Sequence, residues 1–272
     1  MSGQSSYIIS GGDVGASRLH ILSRAMMPAS MGILVRSGLA PGMAVLDLGC
    51  GSGDVTLEIA KTVGPEGRVV GIDMDEGVLM HARKGSEDAG CGVEWRCSKA
   101  EELKEEGAYD IVYARFLLSH LPDPAGILQK MKRALKPDGR LVVEDIDINT
   151  HAYWPFHPSF RRYIELYAEA GRLRGVDPGI GPSLAAMAVD AGFEKIEVSI
   201  SMPVFISGEG KTIARITLLD IADAVIESGL SNREEIEGLI GELLEFERDP
   251  KSIQSTAQVF QITGQPGMRT ED

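Results

Sequence analysis

Cysteine is scarce in this chain of 272 residues, which contains only Cys50, Cys91 and Cys97. Three thiols cannot build a disulfide framework, and their spacing does not match that of a zinc site. Apolar runs of membrane-spanning length are also missing, and residues 1–10 lack a basic segment followed by an apolar core. We therefore expect a cytoplasmic protein with no metal site and no membrane partner.

Basic residues are in the minority. The chain has 40 acidic and 27 basic residues, which gives a formal net charge of −13. A protein that binds nucleic acid needs a basic footprint to meet the phosphates, and residues 130–133 are the closest approach to one. The composition therefore disfavours DNA and RNA and favours a small-molecule partner, while a homodimer remains open.

Short apolar runs alternate with helical segments in the first half of the chain. Five runs read as strands: residues 43–48, 68–72, 93–97, 109–113 and 140–145. Glycine- and proline-containing turns separate them from stretches with helical spacing. This alternation predicts a doubly wound α/β fold with a mostly parallel sheet that is covered by helices on both faces.

The segments on either side of this core have a different character. Residues 1–42 predict an N-terminal arm and two short helices that are broken at Pro28. Residues 146–190 are rich in aromatic residues and arginine, which indicates a helical cap inserted over the core. Residues 191–264 predict the C-terminal part of the core with a helical insertion, and residues 265–272 a tail.

A glycine-rich turn follows the first predicted strand. Its sequence, from Asp47 to Gly53, reads Asp-Leu-Gly-Cys-Gly-Ser-Gly, and a helical stretch begins directly after it. Glycines at such a turn let the backbone approach a ligand without a clash from a Cβ atom. The plain alternative is that these glycines serve the geometry of the turn alone.

An acidic residue ends the second predicted strand. Asp73 lies 20 residues beyond Gly53, where a carboxylate can accept hydrogen bonds from both hydroxyl groups of a ribose. The alternative is that Asp73 caps the helix predicted to begin near Glu76. Together with the glycine-rich turn, the spacing favours the ribose role.

Asp47 distinguishes this turn from that of a dinucleotide-binding protein. A carboxylate beside the turn would repel a pyrophosphate, and the glycines do not follow the spacing G-x-G-x-x-G. A cofactor that carries an ammonium group and a sulfonium, S-adenosylmethionine, suits this carboxylate. A nucleotide-dependent oxidoreductase is the less favoured reading.

Four segments resemble the motifs of the class I S-adenosylmethionine-dependent methyltransferases. They are residues 47–53, 72–74, 109–115 and 135–143, and they follow the order found in that family. A weaker likeness to the small-molecule branch extends to Tyr7, Arg18 and residues 120–124. The resemblance implies a seven-stranded Rossmann-like sheet and transfer of a methyl group to a small organic molecule. The acceptor atom, whether oxygen, nitrogen, carbon or sulfur, stays open.

The resemblance also implies which residues hold the cofactor. The positions expected to bind it are Tyr7, Arg18, Asp47, Gly49, Cys50, Gly51, Asp73, Met74, Ala100, Glu101, Ala114 and Arg115. The family usually has an aspartate after the third strand that accepts from the adenine amino group, but this chain has Lys99. Because lysine has no acceptor, Ser98, Glu101 or a backbone carbonyl must replace that contact.

Three histidines are candidates for a general base. His120, His151 and His157 lie in or beside the segments expected near the acceptor, although a single histidine is more often structural. Methyl transfer mainly requires that donor and nucleophile are held in line, so a base is not obligatory. A protein of this fold that binds the cofactor without transferring the methyl group is the remaining alternative.

Overall fold

The computed structural model describes residues 13–267, with only the backbone described for residues 13–17 and 19. The predicted cofactor residue Tyr7 lies outside the described residues. The helices are α1 (Asp13–Arg36), α2 (Asp54–Val63), α3 (Glu76–Ala89), α4 (Pro124–Ala134), α5 (Pro158–Leu173), α6 (Leu184–Asp190), α7 (Ile213–Glu227) and α8 (Arg233–Arg248). The strands are β1 (Ala44–Leu48), β2 (Arg68–Asp73), β3 (Glu94–Cys97), β4 (Tyr109–Arg115), β5 (Leu135–Asp147), β6 (Tyr153–Trp154), β7 (Phe193–Ser201), β8 (Val204–Phe205), β9 (Ile253–Ser255) and β10 (Gln258–Pro266).

Seven strands form the main sheet in the order β3-β2-β1-β4-β5-β10-β7. Strands β1 to β5 run parallel, and β10 runs antiparallel to both of its neighbours. The central strand β1 is almost wholly apolar, with Val45, Leu46 and Leu48 completely buried, as expected when helices cover both faces. The predicted doubly wound, mostly parallel seven-stranded sheet is confirmed.

A second hydrophobic cluster lies beside the main sheet. Helices α5, α7 and α8 build it from buried side chains that include Phe160, Leu218 and Leu243, and a small sheet of order β6-β9-β8 accompanies it. Helix α6 instead packs on the main sheet through Leu184 and Ala188. We refer to α5, α7 and α8 as the cap helices; only α5 lies within residues 146–190, where the cap was predicted. In the described part of the chain, no helix is both long and apolar enough to cross a membrane.

The N-terminal segment contains one helix where two were predicted. Helix α1 continues through Pro28, although an interior proline usually costs a helix about 3 kcal/mol. Met26, Ile33 and Leu34 on this helix are almost fully buried, and each buried side chain of this size contributes about 1.5–3 kcal/mol. Packing of these residues therefore offsets the missing hydrogen bond, and the predicted break at Pro28 is wrong.

An indole ring supports the glycine-rich turn from below. Trp95 on β3 lies so close to the turn that a Cβ atom on Gly71 would be 2.5 Å from its Cζ3, and one on Gly53 would be 2.5 Å from its Cη2. The indole Nε1 donates a hydrogen bond to Ser86 Oγ at 3.1 Å, which fixes the ring against α3. Glycine at these two positions is therefore required by contact with the ring as well as by the turn.

We predict that Gly71→Ala lowers the free energy of unfolding by about 1–3 kcal/mol, since the added methyl group overlaps the Trp95 ring. Denaturant unfolding measures this change. Gly92→Ala is the matched control because nothing lies within 4 Å of the Cβ position there, and its effect should stay within about 0.5 kcal/mol. Equal losses in the two variants would contradict the contact with the ring. In a Trp95→Val background, Gly71→Ala should cost clearly less.

Candidate functional site

A cavity of about 490 Å³ lies outside the carboxyl ends of β1, β2 and β4. It begins at the glycine-rich turn and extends to the cap, where Tyr163 and Tyr167 of α5 and Thr217 of α7 line its far wall. The sheet order reverses between β1 and β4, and ligands of open α/β sheets bind at that point. The core and the cap therefore enclose one continuous space.

The glycine-rich turn presents its backbone to this cavity. Gly49, Cys50 and Gly51 line it, and both glycines have positive φ angles, of 77° and 53°. A Cβ atom on Gly49 would lie 2.9 Å from Leu117 Cδ1, so a larger residue would push the turn away from its neighbour. The cavity floor at this point is bare main chain.

Asp73 lies beside the turn and braces it. Its Oδ2 accepts a hydrogen bond from Gly51 N at 2.9 Å, and its Oδ1 accepts one from Asp75 N at 3.0 Å. The cap of α3 is Asp75, whose Oδ1 accepts from Gly77 N at 2.8 Å. Asp73 is therefore not the helix cap, and its carboxylate faces the cavity next to the turn.

Asp47 is the acidic residue at the end of β1. It lines the cavity although it is almost fully buried, and it accepts a hydrogen bond from Thr56 Oγ1 at 2.6 Å. Burial raises its pKa to about 6, against the opposing effects of the Thr56 hydrogen bond and the positive charge of Arg115. A positively charged group entering the cavity would favour the ionised carboxylate.

Arg115, at the end of β4, joins the sheet to α1. Its Nη1 and Nη2 donate to Ser30 Oγ at 3.2 Å and to Ser23 Oγ at 3.0 Å. The guanidinium also lines the cavity near Asp47. Arg115 and Asp47 thus place one positive and one negative group at the same end of the space.

A smaller cavity of about 80 Å³ lies on the other side of Asp73. Met74, Lys99, Ala100 and Glu101 line it together with apolar side chains. Its walls suit a small, mostly apolar group beside Asp73. The predicted cofactor residue Ala114 is buried in β4 and lines neither cavity.

The three candidate histidines are not equivalent. His120 and His151 line the large cavity, whereas His157 does not and instead packs its ring edge-on against Phe246 at 5.5 Å. Burial lowers the pKa of His120 to about 4, with a further contribution from the charge of Arg18, and burial lowers the pKa of His151 to about 4. The Nδ1 of His151 is 3.0 Å from the Ser255 carbonyl oxygen, so it carries the ring proton.

Arg18, another predicted cofactor residue, lines the cavity together with residues of the cap helices. Its Nε donates to Thr217 Oγ1 at 3.1 Å and is 3.8 Å from Asp220 Oδ2. The arginines of the cap itself do not reach the cavity: Arg161 pairs with Glu165, for example. The guanidinium beside the cap helices therefore comes from the N-terminal helix α1.

Sequence reasoning missed several contributors to the site. Tyr163 and Tyr167 were recognised only as aromatic residues of the cap, yet their spacing of four residues on one helix face was a usable signal. Asp145, near the end of β5, lies beneath the wall and accepts hydrogen bonds from Ser119 N and Ile146 N, both at 2.9 Å. Its role is therefore to fix the backbone of the wall.

Residues 39–169 match the family model described as "Methyltransferase domain". This segment begins just before β1, includes the glycine-rich turn and Asp73, and ends within α5. The match therefore includes the strand ends that carry Asp47, Asp73 and Arg115.

Two of the curated relatives that match this sequence show how far the similarity extends. The demethylmenaquinone methyltransferase of Lactococcus lactis subsp. lactis (strain IL1403) is 36% identical over 134 residues, which cover 48% of this chain and 51% of that protein. The ubiquinone biosynthesis O-methyltransferase of Pseudomonas aeruginosa (strain UCBPP-PA14) is 38% identical over 120 residues, which cover 43% of this chain and 50% of that protein. The matches thus span about half the length of these relatives.

The fold is also shared with solved methyltransferases. Phosphoethanolamine N-methyltransferase 2 of Haemonchus contortus, solved in complex with S-adenosyl-L-methionine, superposes with a TM-score of 0.58 at 18% identity. The superposition covers 93% of this chain and 57% of that one. Residues 39–169 therefore match a methyltransferase domain, and this part of the chain is similar in sequence to S-adenosylmethionine-dependent methyltransferases.

Proposed function

We propose that this chain transfers a methyl group from S-adenosylmethionine to a small organic molecule held in the cavity. The observation that carries the proposal is the continuity of that space, which begins at Asp47 and the glycine-rich turn and ends at the cap tyrosines. The names of the two relatives, both quinone-pathway methyltransferases, support a small-molecule acceptor. The acceptor atom stays open.

The proposal assigns each part of the cofactor to residues already described. The methionine portion would lie against Gly49, Cys50 and Gly51, with its ammonium group near Asp47 and its carboxylate near Arg115. Asp73 would accept from the ribose hydroxyls. The base would enter the smaller cavity beside Met74, Ala100 and Glu101, where the Lys99 ammonium cannot accept a hydrogen bond from the adenine amino group.

The protein's part in such a reaction is mainly positional. When bound, S-adenosylmethionine supplies an activated methyl group, and an enclosed cavity holds the acceptor in line with it. His120 and His151, with pKa values near 4, are neutral at pH 7 but are weak bases. The proposal therefore favours an acceptor that is already ionised, or one that loses its proton after the transfer.

We further propose that the protein acts in the cytoplasm, in small-molecule metabolism. Residues 43–145 would form the core that binds the cofactor, and the cap helices would cover the acceptor. A net charge of −13 gives no steering toward nucleic acid. A homodimer would be compatible with this function. The alternative function is that of a protein that binds the cofactor and transfers no methyl group.

The test of the activity is an incubation with S-adenosylmethionine labelled in its methyl group and a small-molecule extract of cells. Label should appear in a low-molecular-weight product, and unlabelled S-adenosylhomocysteine should suppress it. Binding of the cofactor with no labelled product from any extract would support the non-methylating alternative. Label in bulk RNA or protein alone would contradict the small-molecule acceptor.

We predict that Asp73→Ala weakens binding of S-adenosylhomocysteine by more than tenfold, about 1.4 kcal/mol or more, because two ribose hydrogen bonds are lost. Isothermal titration calorimetry measures the change. Asp123→Ala is the control. Like Asp73, Asp123 accepts a hydrogen bond from a backbone N–H, that of Gly126 at the start of α4, but Asp123 lines neither cavity. Unchanged affinity in a folded Asp73 variant would remove this residue from the site.

We also predict that affinity for S-adenosylhomocysteine falls as the pH drops below the Asp47 pKa of about 6. Above that pH the carboxylate is ionised and attracts the ligand's ammonium group; below it, protonation removes the charge. A single group predicts a loss of about tenfold between pH 7 and pH 5. Arg115 opposes the raised pKa, and Asp73 and Glu144 support it.

Asp47→Asn is the variant that isolates this titration. It should bind weakly at both pH values, with a clearly smaller change between them, because the amide carries no charge to lose. Calorimetry in matched buffers at pH 7 and pH 5 measures the change in affinity for the variant and for the unmodified protein. A variant whose affinity changes with pH as steeply as that of the unmodified protein would show that another group controls binding.

A further inference from the structure

The acceptor end of the cavity contains a buried guanidinium. Arg18 is only 8% exposed, yet it lines the space together with Tyr163, Tyr167 and Thr217. Its Nε meets Thr217 Oγ1 and approaches Asp220 Oδ2. Among the residues that the structure describes, Nη1 and Nη2 make no hydrogen bond, so the fork of the guanidinium is available to a ligand.

This arginine is separate from the one near the glycine-rich turn. The groups that interact with Arg18 are Thr217, Asp220, His120, Tyr163 and Tyr167. Those that interact with Arg115 are Ser23, Ser30, Asp47, Tyr113 and Phe116. These contacts of Arg18 are thus with residues of the cap helices and the wall, while Arg115 joins β4 to α1. Arg115 is the arginine whose charge acts on Asp47.

The neighbours of Arg18 are mostly hydrogen-bond donors. Tyr163 and Tyr167 are spaced four residues apart on α5, and burial raises the pKa of both, Tyr167 to about 12, so their hydroxyl groups stay protonated. The Tyr167 hydroxyl has no hydrogen bond to any residue in the described range 13–267. A guanidinium fork beside phenolic donors matches a group that only accepts hydrogen bonds.

Several apolar side chains also line this cavity. They are Ile146 near the end of β5, Ile148 just after it, Ile213 at the start of α7 and Val259 on β10. Apolar walls with a few convergent polar groups are typical of sites that enclose a small ligand and fix its orientation. The ligand therefore needs an apolar body and one polar end.

We infer that Arg18, Tyr163 and Tyr167 bind an oxyanion, a carboxylate or an ionised ring hydroxyl, on the apolar methyl acceptor. This inference rests on the proposed function and goes further by naming the chemical class of the acceptor. Asp220 compensates the charge of Arg18 in the free protein, and the ligand's oxyanion meets the Nη atoms on the opposite side of the guanidinium. The negative oxygen would also be attracted to the sulfonium of the cofactor.

The test uses two probes of nearly the same shape, 2-naphthoate and 2-naphthamide, titrated into the protein saturated with S-adenosylhomocysteine. The acid should bind about tenfold or more tightly than the amide, since a charge-assisted pair with arginine is lost in the neutral probe. Equal affinities of the two probes for the unmodified protein would overturn the inference.

Two variants assign the preference to the guanidinium. Arg18→Met should remove the preference for the acid, whereas Asp220→Asn should increase it severalfold, because a negative charge near the guanidinium is lost. The double variant Arg18→Met/Asp220→Asn carries no buried charge from this pair, so it tests the same point if the single Arg18 variant fails to fold. Retention of the preference in a folded variant without Arg18 would overturn the inference.

Affinity for S-adenosylhomocysteine in the absence of either probe separates this inference from the proposed function. Arg18→Met and the double variant should bind it within about threefold of the unmodified protein, a change of less than 1 kcal/mol. A tenfold loss would assign Arg18 to the cofactor carboxylate and overturn the inference alone. If the unmodified protein does not bind S-adenosylhomocysteine, the proposed function and this inference both fail.

Discussion

The reversal of strand order between β1 and β4 is the constraint on which this molecule depends. The helices that follow these two strands, α2 and α4, pack on opposite faces of the sheet, so a crevice opens at the strand ends where Asp47, Gly49 and Arg115 emerge. Trp95 on β3 packs against the glycine-rich turn, and the cap helices line the opposite side of the cavity. The cavity is therefore a consequence of topology, and its chemistry depends on the few side chains at the strand ends.

Two buried carboxylates beneath the cavity, Glu144 and Asp145, are held by specific hydrogen-bond partners. Glu144 accepts from the Tyr113 hydroxyl at 2.5 Å and from Gln261 Nε2 at 2.8 Å, which links β4, β5 and β10 beneath the site. Asp145 fixes the backbone of the wall in the same way. Such fully satisfied groups give the site a rigid floor, on which the charges of Asp47 and Arg115 are kept in position.

The features that could be predicted from the sequence are those that depend on local spacing. The strand-turn-helix pattern and the position of Asp73 are read along a single stretch of chain, and the main sheet follows from them. The contacts that could not be predicted join distant segments: Arg18 meets Thr217 across 199 positions, and the ring of Trp95 fills the space that Gly71 leaves. The break at Pro28 was wrongly predicted because tertiary packing outweighs a local preference.

The most direct test of the central claim is a pair of calorimetric titrations of the unmodified chain, one with S-adenosylhomocysteine and one with NAD. Both ligands carry an adenosine, but only the first carries an ammonium group to meet Asp47, and only the second carries a pyrophosphate that this carboxylate repels. The account predicts saturable binding of one S-adenosylhomocysteine per chain and no binding of NAD. Binding of NAD without binding of S-adenosylhomocysteine would contradict it.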